Sequence, residues 1–94
     1  MIRIVKMHFQ TERIPEFLEV FKAAKPKIEA IEGCHEVKLV QGIDDPGTLM
    51  TISKWDGPEA LEAYRHSELF KSTWAKTKIH FSDRPQAWSV DVIA

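Results

Sequence analysis

The stretch CHEVKLVQGIDDPGTLMTISKW, residues 34–55, decides the fold. From Cys34 to Gln41, His35, Val37 and Leu39 alternate with Glu36, Lys38 and Val40, the period-two pattern of a strand. Ile43-Asp44-Asp45-Pro46-Gly47 is a strong turn signal, because Asp bonds its own backbone, Pro presets φ and Gly tolerates any φ. Thr48 to Trp55 reads as another strand, so the two form an antiparallel hairpin with a longer loop.

On the N-terminal side of the hairpin, Gly33 supplies the left-handed residue that commonly ends a helix. Before it, Phe17, Val20, Phe21, Ala24, Ile28 and Ile31 recur at the three- and four-residue steps of an amphipathic helix. Pro15 suits its first turn, where the missing N–H costs nothing, and Glu16 suits the positive end of the dipole. Pro26 lies inside the pattern and is expected to kink it. Ile2 to Phe9, rich in β-branched and aromatic residues and free of Gly and Pro, is the first strand.

On the C-terminal side, Asp56-Gly57-Pro58 breaks the strand and puts Pro58 at a first helical position. Leu61 and Tyr64 share one side of that helix, and Ser67 can cap a continuation bearing Phe70 and Trp74 on one face. Thr77 to Pro85 reads as a polar connection, with His80 and Phe81 in it and His80 at the surface. Gln86 to Ile93 is the last strand, alternating Trp88, Val90 and Val92 with Ala87, Ser89, Asp91 and Ile93.

The order β-α-β-β-α-β predicts a ferredoxin-like α+β fold, a four-stranded antiparallel sheet with both helices on one face. Each strand also keeps a partly apolar second face: Ile2 and Ile4 oppose Val5 and Met7, and Val40 opposes Val37. One helical layer covers only one face, and the other would be an apolar patch larger than soluble monomers usually show. The expectation is a homodimer in which two sheets face each other.

Ninety-four residues suffice for one domain, spanning 1–94. Thirteen basic against fourteen acidic residues give a net charge of -1, which offers no footprint for nucleic acid or an anionic membrane. No apolar run approaches the roughly 18 residues of a spanning helix, and no signal-peptide pattern opens the chain. A single cysteine, Cys34, excludes an intramolecular disulfide and points to the reducing cytoplasm. The four His are scattered, so no metal site is expected. Without a glycine-rich phosphate loop or dinucleotide fingerprint, no bound nicotinamide or flavin is implied, and no cofactor is expected.

Ile31-Glu32-Gly33-Cys34, Asp44-Asp45-Pro46-Gly47, and Trp55 followed by Ala60-Leu61-Glu62-Ala63 and Ser67-Glu68-Leu69-Phe70 add a further signal. In their order and spacing the chain resembles the antibiotic biosynthesis monooxygenase family of the dimeric α/β-barrel superfamily, over almost its whole length. The resemblance implies a ligand cavity between the sheet and the helices of each subunit. Members include cofactor-free oxygenases of polyketide quinols and anthrones, quinol monooxygenases and haem-degrading enzymes. Many carry an acidic residue two positions before the strand-three Trp, where this chain has Ser53, and a His in helix two, where it has Tyr64. The haem-degrading members ligate iron through a His that falls here on Trp74. A haem needs an axial ligand, so haem degradation is disfavoured.

His8, near the end of the first strand on its mixed face, is the candidate base, since a neutral imidazole can deprotonate a phenol or quinol. Tyr64 is the second candidate catalytic residue, and either it or Trp74 is the donor that stabilises a developing oxyanion. Trp55, Tyr64, His66, Phe70 and Trp74 form the candidate substrate-binding set, a slot that stacks a small aromatic ligand. The expected function is a cofactor-independent monooxygenase acting on a quinol-like or polycyclic phenolic molecule. The alternatives are a non-catalytic module that binds or protects an aromatic metabolite, and a small-metabolite isomerase.

Overall fold

The computed structural model describes residues 1–94. The elements are β1 (Ile2–His8), a 3₁₀ turn (Thr11–Arg13), α1 (Ile14–Glu29), β2 (Cys34–Gln41), β3 (Thr48–Trp55), α2 (Pro58–Arg65), α3 (Glu68–Lys78) and β4 (Gln86–Val90). The strands form one antiparallel sheet in the order β2-β3-β1-β4, the ferredoxin-like α+β arrangement. The hairpin closes as its turn chemistry requires, with Gly42 N–H donating to Thr48 O at 2.8 Å and Thr48 N–H to Asp45 O at 3.0 Å.

Gly33 is the one residue whose conformation demands glycine. Its φ is +88°, and a Cβ there would lie 2.6 Å from Ala60 Cβ. Gly33 therefore both turns the chain into β2 and lets α2 approach the end of α1. Pro58 opens α2 as expected, and Ser67 caps α3, its Oγ accepting from Phe70 N–H at 3.1 Å.

α1 continues through Pro26, from Ile14 to Glu29. Two details differ from the sequence expectation. β4 stops at Val90 because its neighbour runs out: Val90 pairs with Ile2, the first residue of β1. His80 is buried, not exposed, because the connection after α3 folds back over the end of β1. There Phe81 bridges Phe9, and Ser82 N–H donates to His8 O at 2.8 Å.

The core forms two clusters between sheet and helices. Ala24, Ile28, Cys34, Val37, Trp55 and Leu61 make one, and Met7, Phe9, Phe17 and Leu49 the other. On the opposite sheet face Trp88, Ile4 and Ile52 stand side by side across β4, β1 and β3, flanked by Val90, Ile2, Met50 and Val40. Trp88 and Val90 are 44% and 40% exposed there. Towards the β2 edge this face turns polar, where Glu36 pairs with Lys38 at 2.8 Å and Lys54 at 3.1 Å. The Lys38 and Lys54 hydrogen bonds hold the Glu36 carboxyl below the ordinary range.

Candidate functional site

A cavity of about 330 Å³ lies between the two core clusters, partly open to solvent. That volume is within the range of small-molecule sites, about 300–1,000 Å³. Its floor is the helix-facing side of the sheet, from Arg3, Val5 and Met7 to Ser53 and Trp55. α1 contributes Phe17 and Phe21, α2 contributes Tyr64, and α3 contributes Phe70 and Trp74.

The aromatic side chains form a continuous arc. Trp55 stacks on Tyr64 at 5.2 Å, Tyr64 meets Phe70 edge-on at 5.2 Å, and Phe70 stacks on Trp74 at 6.0 Å. Trp74 then meets Phe81, Phe81 meets Phe9, and Phe9 stacks on Phe17 at 4.4 Å. Offset and edge-on contacts of this kind are favourable beyond the area they bury.

Two local devices aim these rings. The Ser67 hydroxyl donates to Tyr64 O at 2.6 Å while capping α3, so one side chain ties the end of α2 to the start of α3. Tyr64 and Phe70, on either side of this break, thereby reach the same space. The Trp55 indole donates through Nε1 to Ser53 Oγ at 2.9 Å, which satisfies a buried donor with a neutral acceptor.

The Tyr64 hydroxyl is pushed up to about 12, first by burial and then by the nearby Cys34. Burial likewise raises the Cys34 thiol. At neutral pH both stay protonated, and Tyr64 is a hydrogen-bond donor rather than a base.

Of the residues singled out from sequence, Trp55, Tyr64, Phe70 and Trp74 are brought together at the cavity; His8 and His66 are not. His8 shares the outer sheet face with Ile2, Ile4 and Lys6, since side chains alternate along β1. Its Nδ1 is 3.1 Å from Thr48 Oγ1, whose hydroxyl donates to Asp45 Oδ2 at 2.7 Å. Thr48 Oγ1 can then only accept from His8, which places the imidazole proton on Nδ1. His66 is exposed beyond the end of α2, bonded to Glu62 at 2.9 Å. His35 pairs with Asp56 at the surface. No imidazole and no carboxylate lines the cavity.

Sequence reasoning passed over Arg3, which the structure places at the cavity together with Arg65. The available signal was a cation on the strand face otherwise made of Val5, Met7 and Phe9. No three or more His, Cys, Asp or Glu side chains lie together in a group that could hold a metal ion. No helix is long and apolar enough to cross a membrane.

Residues 1–76 match the model of the antibiotic biosynthesis monooxygenase family. The chain belongs to this family. Solved structures agree with it in fold. A conserved protein from Methanosarcina mazei Go1 superposes with a TM-score of 0.86 at 22% identity, over 92% of this chain and 86% of its own. A candidate antibiotic biosynthesis monooxygenase from Caulobacter crescentus CB15 gives 0.91 at 18% identity, over 99% and 89%. Another from Bordetella bronchiseptica gives 0.86 at 22% identity, over 98% and 96%. No curated protein matches the sequence. In this chain the Trp55 indole is held at its edge by Ser53 and stacked on its face by Tyr64.

Proposed function

We propose that the protein is a cofactor-independent monooxygenase acting on a small quinol-like or phenolic molecule, working as a homodimer in the cytoplasm. The observation that carries this reading is the aromatic-walled cavity beside Tyr64, a hydroxyl held un-ionised with its ordinary value pushed up to about 12. An electron-rich dihydroxyaromatic that has given one hydroxyl proton to solvent can pass an electron to O₂ without a metal or flavin. One oxygen atom enters the ring and the other leaves as water, with the quinol supplying both electrons and protons. The protein's part is to exclude water, hold the ring between aromatic walls, and offer the Tyr64 O–H to the oxyanion. The homodimer reading is supported by the outer apolar face of Trp88, Ile4, Ile52 and Met50, which lies on the side of the sheet away from the helices and is the kind of surface that marks an association site. The cytoplasmic reading rests on Cys34, a buried free thiol.

The cavity's lack of imidazole and carboxylate favours one other reading, a module that binds an aromatic metabolite without turning it over. An isomerase must take a proton and return it to the same molecule, and the cavity holds no base to carry it. Oxygen uptake measured with a panel of quinols and anthrones separates them. Enzyme-dependent uptake that falls in Tyr64→Phe supports the monooxygenase. Binding without uptake supports the module, and neither binding nor uptake removes the cavity from consideration.

A further inference from the structure

Arg3 differs from the other charged side chains near the helices. It lies on the helix-facing side of β1, an interior strand, between Ser53 of β3 and Ser89 of β4. It takes part in none of the protein's ion pairs. Its one side-chain hydrogen bond runs from Nη1 to Ser89 Oγ, at 3.1 Å. A guanidinium carries five N–H donors in a planar fork, so most of its donors are not used by protein side chains. Arg65 also lines the cavity, and it is held at 3.4 Å by Glu62, which does not line it. Every charged residue lining the cavity is thus a cation, in a chain whose net charge is -1. Glu62 acts on Arg3 only from a distance, without an ion pair, so the guanidinium beside apolar walls keeps a desolvation cost that an anion can offset. The interaction also selects for charge and orientation, because the fork receives two oxygens of one carboxylate.

We infer that Arg3, supported by Arg65, forms an anion subsite in the cavity, and that the ligand is an aromatic molecule carrying a negatively charged oxygen group. The ring lies against the Trp55–Tyr64 wall and the anionic oxygens meet the Arg3 fork. This inference rests on the cavity being the ligand site.

Matched probes of one shape test it: 2-naphthoate and the neutral 2-naphthamide, titrated calorimetrically into the intact protein at fixed ionic strength. The expected result is about tenfold tighter binding of 2-naphthoate. Arg3→Gln should bring the ratio close to one while leaving 2-naphthamide binding in place, which also reports that the variant is folded. Arg65→Gln, an exposed position at the end of α2, should narrow the ratio about threefold and serves if Arg3→Gln does not fold. Equal binding of both probes to the unaltered protein overturns the anion subsite and leaves the cavity reading intact. A preference that survives in both variants overturns it too. If neither probe binds, the cavity reading fails and the subsite with it.

Discussion

The two faces of the sheet are built from the same strands and have come to opposite ends. Facing the helices, alternate residues of β1 and β3 floor a cavity ringed by aromatic side chains, with Arg3 at its edge. Facing away, the intervening residues present Ile2, Ile4, Met50 and Ile52 with Trp88 beside them. The first face keeps space open, and the second has its apolar surface uncovered within one chain. A period of two along each strand thus gives one sheet two faces with different side chains, one bordering the cavity and one turned outward.

The heaviest blow to this division is Trp55→Ala. Trp55 is 3% exposed and joins the core cluster to the cavity wall, so its loss should cost about 3–5 kcal/mol in chemical denaturation. On the other face, Ile4→Asp should leave the fold in place and weaken the dimer by about 3 kcal/mol, read as dissociation in sedimentation velocity. A stable 10.8 kDa species from the unaltered chain at micromolar concentration would instead remove the assembly role of that face.

Next in size, Tyr64→Phe should lower quinol turnover about 100-fold by removing one donor to the oxyanion. His8→Ala, on the outer face, should change turnover by less than about twofold, within the scatter of a neutral surface substitution. If the two effects were reversed, the chemistry would belong to the other side of the sheet.

A subtler test uses the fact that Tyr64 is the only tyrosine. Tyrosinate absorbance should rise with a midpoint near 12 in the folded protein and about 10 in denaturant. Above the unfolded value the unfolded chain releases a proton that the folded chain retains. Stability should therefore fall as pH rises from about 10 towards 12, and Tyr64→Phe should flatten that decline.

Much of this division was legible in the sequence. The hairpin of residues 34–55, the Ser67 cap and the paired apolar faces fixed the topology, because turn chemistry and alternation are local signals. The aromatic set at Trp55, Tyr64, Phe70 and Trp74 was legible for the same reason, as residues of helices and strands whose faces were known. His8 shows where such reading ends. Alternation separates it from Met7, but both faces of β1 are partly apolar, and the pattern does not say which one borders the cavity. Arg3 is locally no more than a cation on an apolar strand face, and its place at the cavity depends on the sheet order that sets β1 between β3 and β4. His80 was misplaced because the fold-back of residues after α3 depends on the long-range Phe9–Phe81 bridge, which no local pattern announces. Its Nδ1 is buried without a hydrogen-bond partner, with Glu16 3.7 Å away.

The placement of the three tryptophans turns the molecule into its own optical instrument. Trp55 and Trp74 border the cavity, while Trp88 lies on the outer face. Emission from a Trp88→Phe protein would follow occupancy alone. Emission from a protein with only Trp88 would report whether two sheets meet, so one spectrometer can put the question of a ligand and the question of an assembly separately.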